Sequence, residues 1–301
     1  MARFTTKTLH KTPYEAISPT IPEHSQAGQT VVITGGGGGI GLAIARAFAQ
    51  AGAAKVILLG RRSEILINAV KQLKEEVPGY CGELHAVQCD ITDTSRVARF
   101  WDQLKEKHAG VDVLVLNAGV IDPLGDIVKA KNSDAWAAFD ANTRANLDMT
   151  QRFFNNIDVT PNGQKKSLIH VSSAVVADFH HNPIAGVYAS SKAAFLALLH
   201  RIAIQESVEK AQIVSFDPGA IFSPGVKAAG FAPDSYDWDD GNNLQENLPG
   251  QFAVWATSSA AAMFHGRFIH AQWDVNELQA PEVKAKIEND HMFLKIGVVG
   301  Y

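Results

Sequence analysis

Tyr188 and Lys192 stand four positions apart, the spacing that brings two side chains onto one helix face, and the segment YASSK opens a long apolar helix expected to reach about residue 209. A phenol beside an ammonium is an acid/base pair. The free phenol has a pKa of about 10, and a fixed positive charge nearby favours the phenolate. Such a pair suits proton transfer to or from an alcohol or carbonyl oxygen. Tyr-x-x-x-Lys also occurs on helix surfaces that do no chemistry, so its meaning depends on what the rest of the chain brings to it.

A second stretch supplies that context. Residues 30–41 read TVVITGGGGGIG, followed by LAIARAFAQAG: a buried strand, five glycines and an apolar-faced helix. Glycines allow a sharp turn and close backbone approach to a ligand, and the opening helix aims N–H groups and the positive end of its dipole at a phosphate. The spacing of Gly35, Gly39 and Gly41 is G-x-x-x-G-x-G. A second buried strand over 54–60 ends in Arg61 and Arg62, with Ser63 expected to cap the helix that follows to about residue 77. In a dinucleotide fold this tip faces the adenosine ribose. An acid there accepts from a 2′-hydroxyl, whereas Gly60 followed by Arg61 favours pairing with a 2′-phosphate, hence NADP over NAD.

Further strands are expected at 84–89, 111–116 and 166–171, and near 267–271. They alternate with helices over 94–108 and about 133–155, from about 250, and beyond 276. That alternation predicts a single α/β domain of Rossmann type, a doubly wound parallel sheet with helices on both faces and its ligand crevice at the carboxyl ends of the strands. Asp90, Asn117 to Gly119 and the glycine turn all fall at such ends. Residues 1–28 hold Pro13, Pro19 and Pro22 and no apolar periodicity, which predicts an irregular arm before a domain spanning 29–275, with 276–301 as a tail.

With 301 residues, 46% hydrophobic and 19% charged, the chain is too apolar to be disordered. A net charge of −4 without a basic run points away from nucleic acid and anionic membranes, toward a small-molecule partner. Cys81 and Cys89 show no disulfide framework or metal-ligand spacing, so no metal is expected and a reducing, cytoplasmic location is. The apolar run AAFLALL over 193–199 covers more helix faces than one sheet can bury, which predicts a homodimer or homotetramer.

The motifs TGGGGGIG, CDITD, NAG, Asn142, Ser173, YASSK and DPGAIFS, in that order over residues 30–223, resemble those of the short-chain dehydrogenase/reductase family. The C-terminal part, with LPGQFAVWATS and GRFIHAQWDVNEL, resembles members from fungal secondary metabolism. The resemblance implies that Tyr188 is the general acid, that Lys192 depresses its pKa and holds the nicotinamide ribose, that Ser173 bonds the substrate oxygen, and that Asn142 anchors a water in the proton relay. It also implies that Gly35, Gly39, Ile40 and Gly41 line the pyrophosphate, Asp90 and Ile91 the adenine, Asn117, Ala118 and Gly119 the riboses, and Pro218, Gly219, Ile221 and Ser223 the carboxamide.

The interval from Ser173 to Tyr188 exceeds the family's usual spacing, so a loop with His180 and His181 is expected over the substrate mouth, and Ser172 stays an alternative to Ser173. Residues 224–249 are rich in Gly, Pro, Asp and Asn and carry Phe231, Tyr236 and Trp238, as expected of a mobile cover that stacks on a ring-containing substrate. The expected activity is NADP(H)-dependent hydride transfer to or from a ketone or secondary alcohol of a small natural product. The alternative is a protein that uses NADP structurally, as a sensor, or to guide a non-redox step.

Overall fold

A computed structural model describes residues 5–106, 110–155, 165–179, 183–235, 238 and 247–298. Its seven strands are β1 (Thr30–Thr34), β2 (Lys55–Gly60), β3 (Glu83–Gln88), β4 (Val113–Leu116), β5 (Lys166–Val171), β6 (Ala211–Asp217) and β7 (Arg267–His270). They form one parallel sheet in the order β3-β2-β1-β4-β5-β6-β7. The order reverses between β1 and β4, which places a ligand crevice beyond their carboxyl ends.

The helices are α1 (Gly39–Gln50), α2 (Ser63–Glu76), α3 (Thr94–Glu106), α4 (Asn132–Phe139), α5 (Ala145–Asn155), α6 (Gly186–Gln205), α7 (Pro224–Ala228), α8 (Asn247–Trp255), α9 (Val275–Leu278) and α10 (Pro281–Asn289). One apolar core joins the sheet to α1, α2 and α8 through Ile44, Phe48, Leu66, Leu73, Phe252 and Trp255; the other joins it to α3, α5 and α6 through Phe100, Met149, Phe153 and Phe195. Burying each such side chain stabilises the fold by about 1.5–3 kcal/mol before the entropy of ordering it. Helix α8 crosses α1 closely because residue 250 is glycine: a Cβ there would lie 2.6 Å from the Ala43 carbonyl oxygen.

Three expectations need correction. Ser63 is the first residue of α2 rather than its cap; Arg62 occupies the capping position and makes no side-chain capping bond. The helix expected over 133–155 is interrupted by a π-turn at Asp140–Arg144, because the Asn142 amide is committed to the Val120 backbone instead of standing free on a regular helix. Helix α6 ends at Gln205, as Glu206 turns to extended backbone, so it stops short of residue 209.

The N-terminal arm is irregular apart from 3-10 turns at Glu15–Ile17 and Pro22–His24, yet it is well anchored. Ile17 is buried in the core. The Tyr14 hydroxyl donates to the Trp273 carbonyl at 3.0 Å and accepts from the Val275 N–H at 2.9 Å, and His10 bonds Asp274 at 2.8 Å.

Candidate active site

The glycine turn is latched to the neighbouring strand. The Thr34 hydroxyl donates to the Val115 carbonyl at 3.2 Å and accepts the N–H groups of Asn117 and Ala118 at 3.0 and 3.1 Å. The Asn117 amide returns bonds to the carbonyls of Thr34 and Gly35 at 3.0 and 3.3 Å. Gly35 and Gly39 have φ of +68° and +56°, the left-handed region. Ile40 packs its side chain onto the core. A Cβ at Gly41 would stand 2.2 Å from the Gly35 oxygen, whereas one at Gly38 would meet nothing within 4 Å. No side chain caps α1, so its first N–H groups are left for a ligand or water. The cradle fits a diphosphate.

At the tip of β2, Arg61 and Arg62 are both exposed, and Gln88 pins the Arg61 carbonyl at 2.9 Å. Asp90 turns one oxygen inward to the N–H and hydroxyl of Thr92, at 3.0 and 2.8 Å, and Ile91 is buried beside it.

The acid/base group gathers at the carboxyl ends of β4 and β5 and on the first turns of α6. Tyr188 is hydrogen-bonded to Ser173. Ser172 is buried, with no partner for its hydroxyl among the described residues, so Ser173 is the serine brought to Tyr188. Lys192 is buried and donates to the Val171 carbonyl at 2.9 Å. A Cβ at Gly119 would lie 3.3 Å from its Nζ, so the ammonium stands at the Asn117 to Gly119 turn. The Asn142 amide donates to Val120 O at 2.8 Å and to the Ser191 hydroxyl at 2.9 Å, and its oxygen accepts the Val120 N–H at 2.8 Å. Ser191 in turn bonds the Tyr188 carbonyl at 2.8 Å. Asn142 therefore ties the Gly119–Val120 segment to the helix that carries Tyr188 and Lys192.

The electrostatics correct one expectation. Burial, together with the Asp217 charge, pushes the Tyr188 phenol up to about 12 in spite of the Ser173 bond, which favours the phenolate. Burial draws Lys192 down to about 8. Lys192 spends one of its N–H donors on the Val171 carbonyl, and the burial of the phenol outweighs its bond to Ser173. At neutral pH Tyr188 keeps its proton and is poised to donate it.

Beyond β6, Gly219 takes φ of +91°, Ile221 is buried, and the Ser223 hydroxyl caps α7 by accepting from Val226 N at 3.4 Å, so the Pro218 to Ser223 loop leads straight into the segment expected to cover the site. There Trp238 packs against Phe222 at 5.3 Å and Phe231 at 6.3 Å between ring centroids. Sequence reasoning missed Phe222, although it lies inside DPGAIFS two residues before α7. His180, His181 and Tyr236 lie outside the described residues. Among the described residues no cluster of potential ligands forms a metal site. Asp217 and His270 were also missed; they bond at 3.2 Å behind the Ser173 turn.

Comparison with known proteins agrees with this geometry. The sequence model described as short chain dehydrogenase matches residues 29–230. A short chain dehydrogenase/reductase of Claviceps purpurea is 33% identical over 98% of this chain and 94% of its own length. The short chain dehydrogenase/reductase AacuD of Aspergillus aculeatus is 32% identical over 98% and 96%. Among solved structures, Pseudomonas aeruginosa RhlG, in an active-site complex with NADP, superposes with a TM-score of 0.70 at 21% identity, over 83% of this chain and 97% of that one. A 7α-hydroxysteroid dehydrogenase complexed with NADH and 7-oxo glycochenodeoxycholic acid gives 0.69 at 23%, over 86% and 97%.

Proposed function

The chain belongs to the short chain dehydrogenase family, and on that premise we propose that it is an NADP(H)-dependent oxidoreductase acting on a ketone or secondary alcohol of a small, ring-containing natural product. The observation that carries this reading is the bonded pair of Tyr188 and Ser173 at the strand ends, with Lys192 one helical turn on and beside Gly119. When bound, the nicotinamide supplies or accepts the hydride. In reduction, Tyr188 gives its proton to the carbonyl oxygen as the hydride reaches the carbonyl carbon, so C=O becomes CH–OH and the phenol is left as phenolate. The Ser173 hydroxyl holds the same oxygen as charge develops on it, and Lys192 holds the ribose and the phenolate. Arg61 and Arg62, exposed at the tip of β2, support NADP over NAD. The rings of Phe222, Phe231 and Trp238 support a flat substrate.

The test uses NADPH with benzil, an aromatic diketone. Tyr188→Phe should abolish its reduction, with NADPH affinity kept, and Trp238→Ala should raise KM without altering NADPH binding. Near wild-type hydride transfer by Tyr188→Phe would exclude Tyr188 as the proton donor. Helix α6 runs 20 residues with only 39% of its most apolar window buried, which supports a homo-oligomer built on that helix. A single-chain mass in sedimentation at micromolar concentration would contradict it.

A further inference from the structure

The Asp217 carboxylate closes β6 and bonds three separate segments. Its Oδ1 accepts the Ala174 N–H at 2.6 Å, immediately after Ser173. Its Oδ2 accepts the Gly219 N–H at 3.2 Å, in the loop proposed to line the nicotinamide, and meets His270 Nδ1 at 3.2 Å. A carboxylate only accepts, so the imidazole proton is on Nδ1. The β6–β7 register pairs Asp217 directly with His270, and the His270 ring is held between Phe268 at 5.2 Å and Trp273 at 4.5 Å. Side-chain exposure is 7% for Asp217 and 21% for His270, so the pair is shielded from water on most sides.

We propose that Asp217 and His270 are positioning residues for the reaction. The carboxylate holds the Ser173 turn and the Gly219 loop in mutual register, and the imidazole holds the carboxylate and draws its charge away from the Tyr188 oxygen. This rests on the reading of Tyr188 as the proton donor. The groups facing one another are few: Tyr188 is met by Ser173 from the end of β5 and by Asp217 from β6, while Lys192, one turn further along the same helix, faces His170 from β5, which His200 also faces. The Asp217 charge raises the Tyr188 phenol. Whatever unmasks that charge therefore makes the phenolate harder to form, and whatever removes it makes the phenolate easier to form.

The experiment has a substrate-free arm and a kinetic arm, both on the full chain. Hydrogen exchange of the peptides covering Ala174 and Gly219 should rise roughly tenfold in Asp217→Asn, which cannot accept at every position the carboxylate fills. It should rise less in His270→Phe, which keeps the ring. In the oxidation of benzoin with NADP, Tyr188 has to accept the alcohol proton, so the ascending limb of the kcat profile, where activity grows with pH, reads its ionisation. Asp217→Asn should move it to lower pH and His270→Phe to higher pH, while His270→Asn, whose amide nitrogen mimics Nδ1, should restore the wild-type midpoint. Loss of packing alone does not produce opposite shifts. Unchanged exchange at Ala174, or shifts of the same sign, overturns the proposal. If wild type does not oxidise benzoin, the exchange arm still decides the positional half. The charge half is then read from phenolate absorbance with oxidised NADP bound, taking Tyr188→Phe as reference. Turnover that survives Tyr188→Phe would instead remove the underlying reading while leaving the exchange result standing.

Discussion

Adding one methyl group at Gly41 and one at Gly38 should give different outcomes. In Gly41→Ala the new carbon would stand 2.2 Å from the Gly35 oxygen and 2.6 Å from the Asn117 amide nitrogen, where real contacts stay above 3.0 Å, so backbone must give by about 0.8 Å. The oxygen cannot swing aside, since Gly35 is fixed at φ +68° and held by Asn117. Overpacking of this kind costs about 1–3 kcal/mol, or roughly fivefold to 150-fold in affinity if the turn must be closed again to bind. Gly38→Ala meets nothing within 4 Å, and φ 178° with ψ 174° is extended backbone open to alanine. Its methyl would enter the open space in which the phosphates are proposed to sit. Thermal unfolding without ligand, and NADPH titration by nucleotide fluorescence, separate the two. Gly41→Ala should lose both stability and affinity, and Gly38→Ala should keep its melting temperature and lose affinity. A Gly41→Ala protein that melts and binds like wild type, or a Gly38→Ala protein destabilised as much as Gly41→Ala, would refute the placement of the cradle.

Arg61→Ala should weaken NADPH by roughly tenfold to a hundredfold, the loss of a charge-assisted pair worth about 1.5–3 kcal/mol, and leave NADH nearly unaffected; equal losses for both cofactors, or none, would discard the 2′-phosphate assignment. His200 should make the protein acid-labile. Its Nδ1 donates to the Gly266 carbonyl at 2.9 Å, its Nε2 accepts the Ile296 N–H at 3.3 Å, and burial pulls its pKa down to about 4. The unfolded chain therefore binds the extra proton first, so stability should fall as pH drops from about 6.5 toward 4, by an order of 3 kcal/mol. Urea unfolding at several pH values should show that acid slope in wild type and a shallower one in His200→Gln, and equal slopes would count against it.

Residues that act through local pattern were legible in the sequence, and those that act through register were not. Most buried strands, the glycine turn and the Tyr188–Lys192 face follow from spacing of a few residues and the parallel sheet from their alternation with helices, but β6 (Ala211–Asp217) is not among the expected strands and the strand order emerges only in the folded chain. The π-turn at Asn142 follows from bonds to Val120, which local helix propensity does not register. The arm's composition reads as irregular, and its anchorage depends on Trp273 and Val275 at the other end of the chain. The Asp217–His270 pair exists only once β6 and β7 are aligned. The charge balance at Tyr188 has the same origin. Spacing alone puts an ammonium beside the phenol and predicts a lowered pKa, but spacing carries no information on burial or on a carboxylate arriving from β6. In the folded chain those two effects exceed the Ser173 bond, and burial draws Lys192 down to about 8, which still leaves it mostly protonated at neutral pH. The pair is therefore set for donating a proton in the absence of cofactor, and a phenolate able to accept one has to be stabilised by whatever binds next to Lys192.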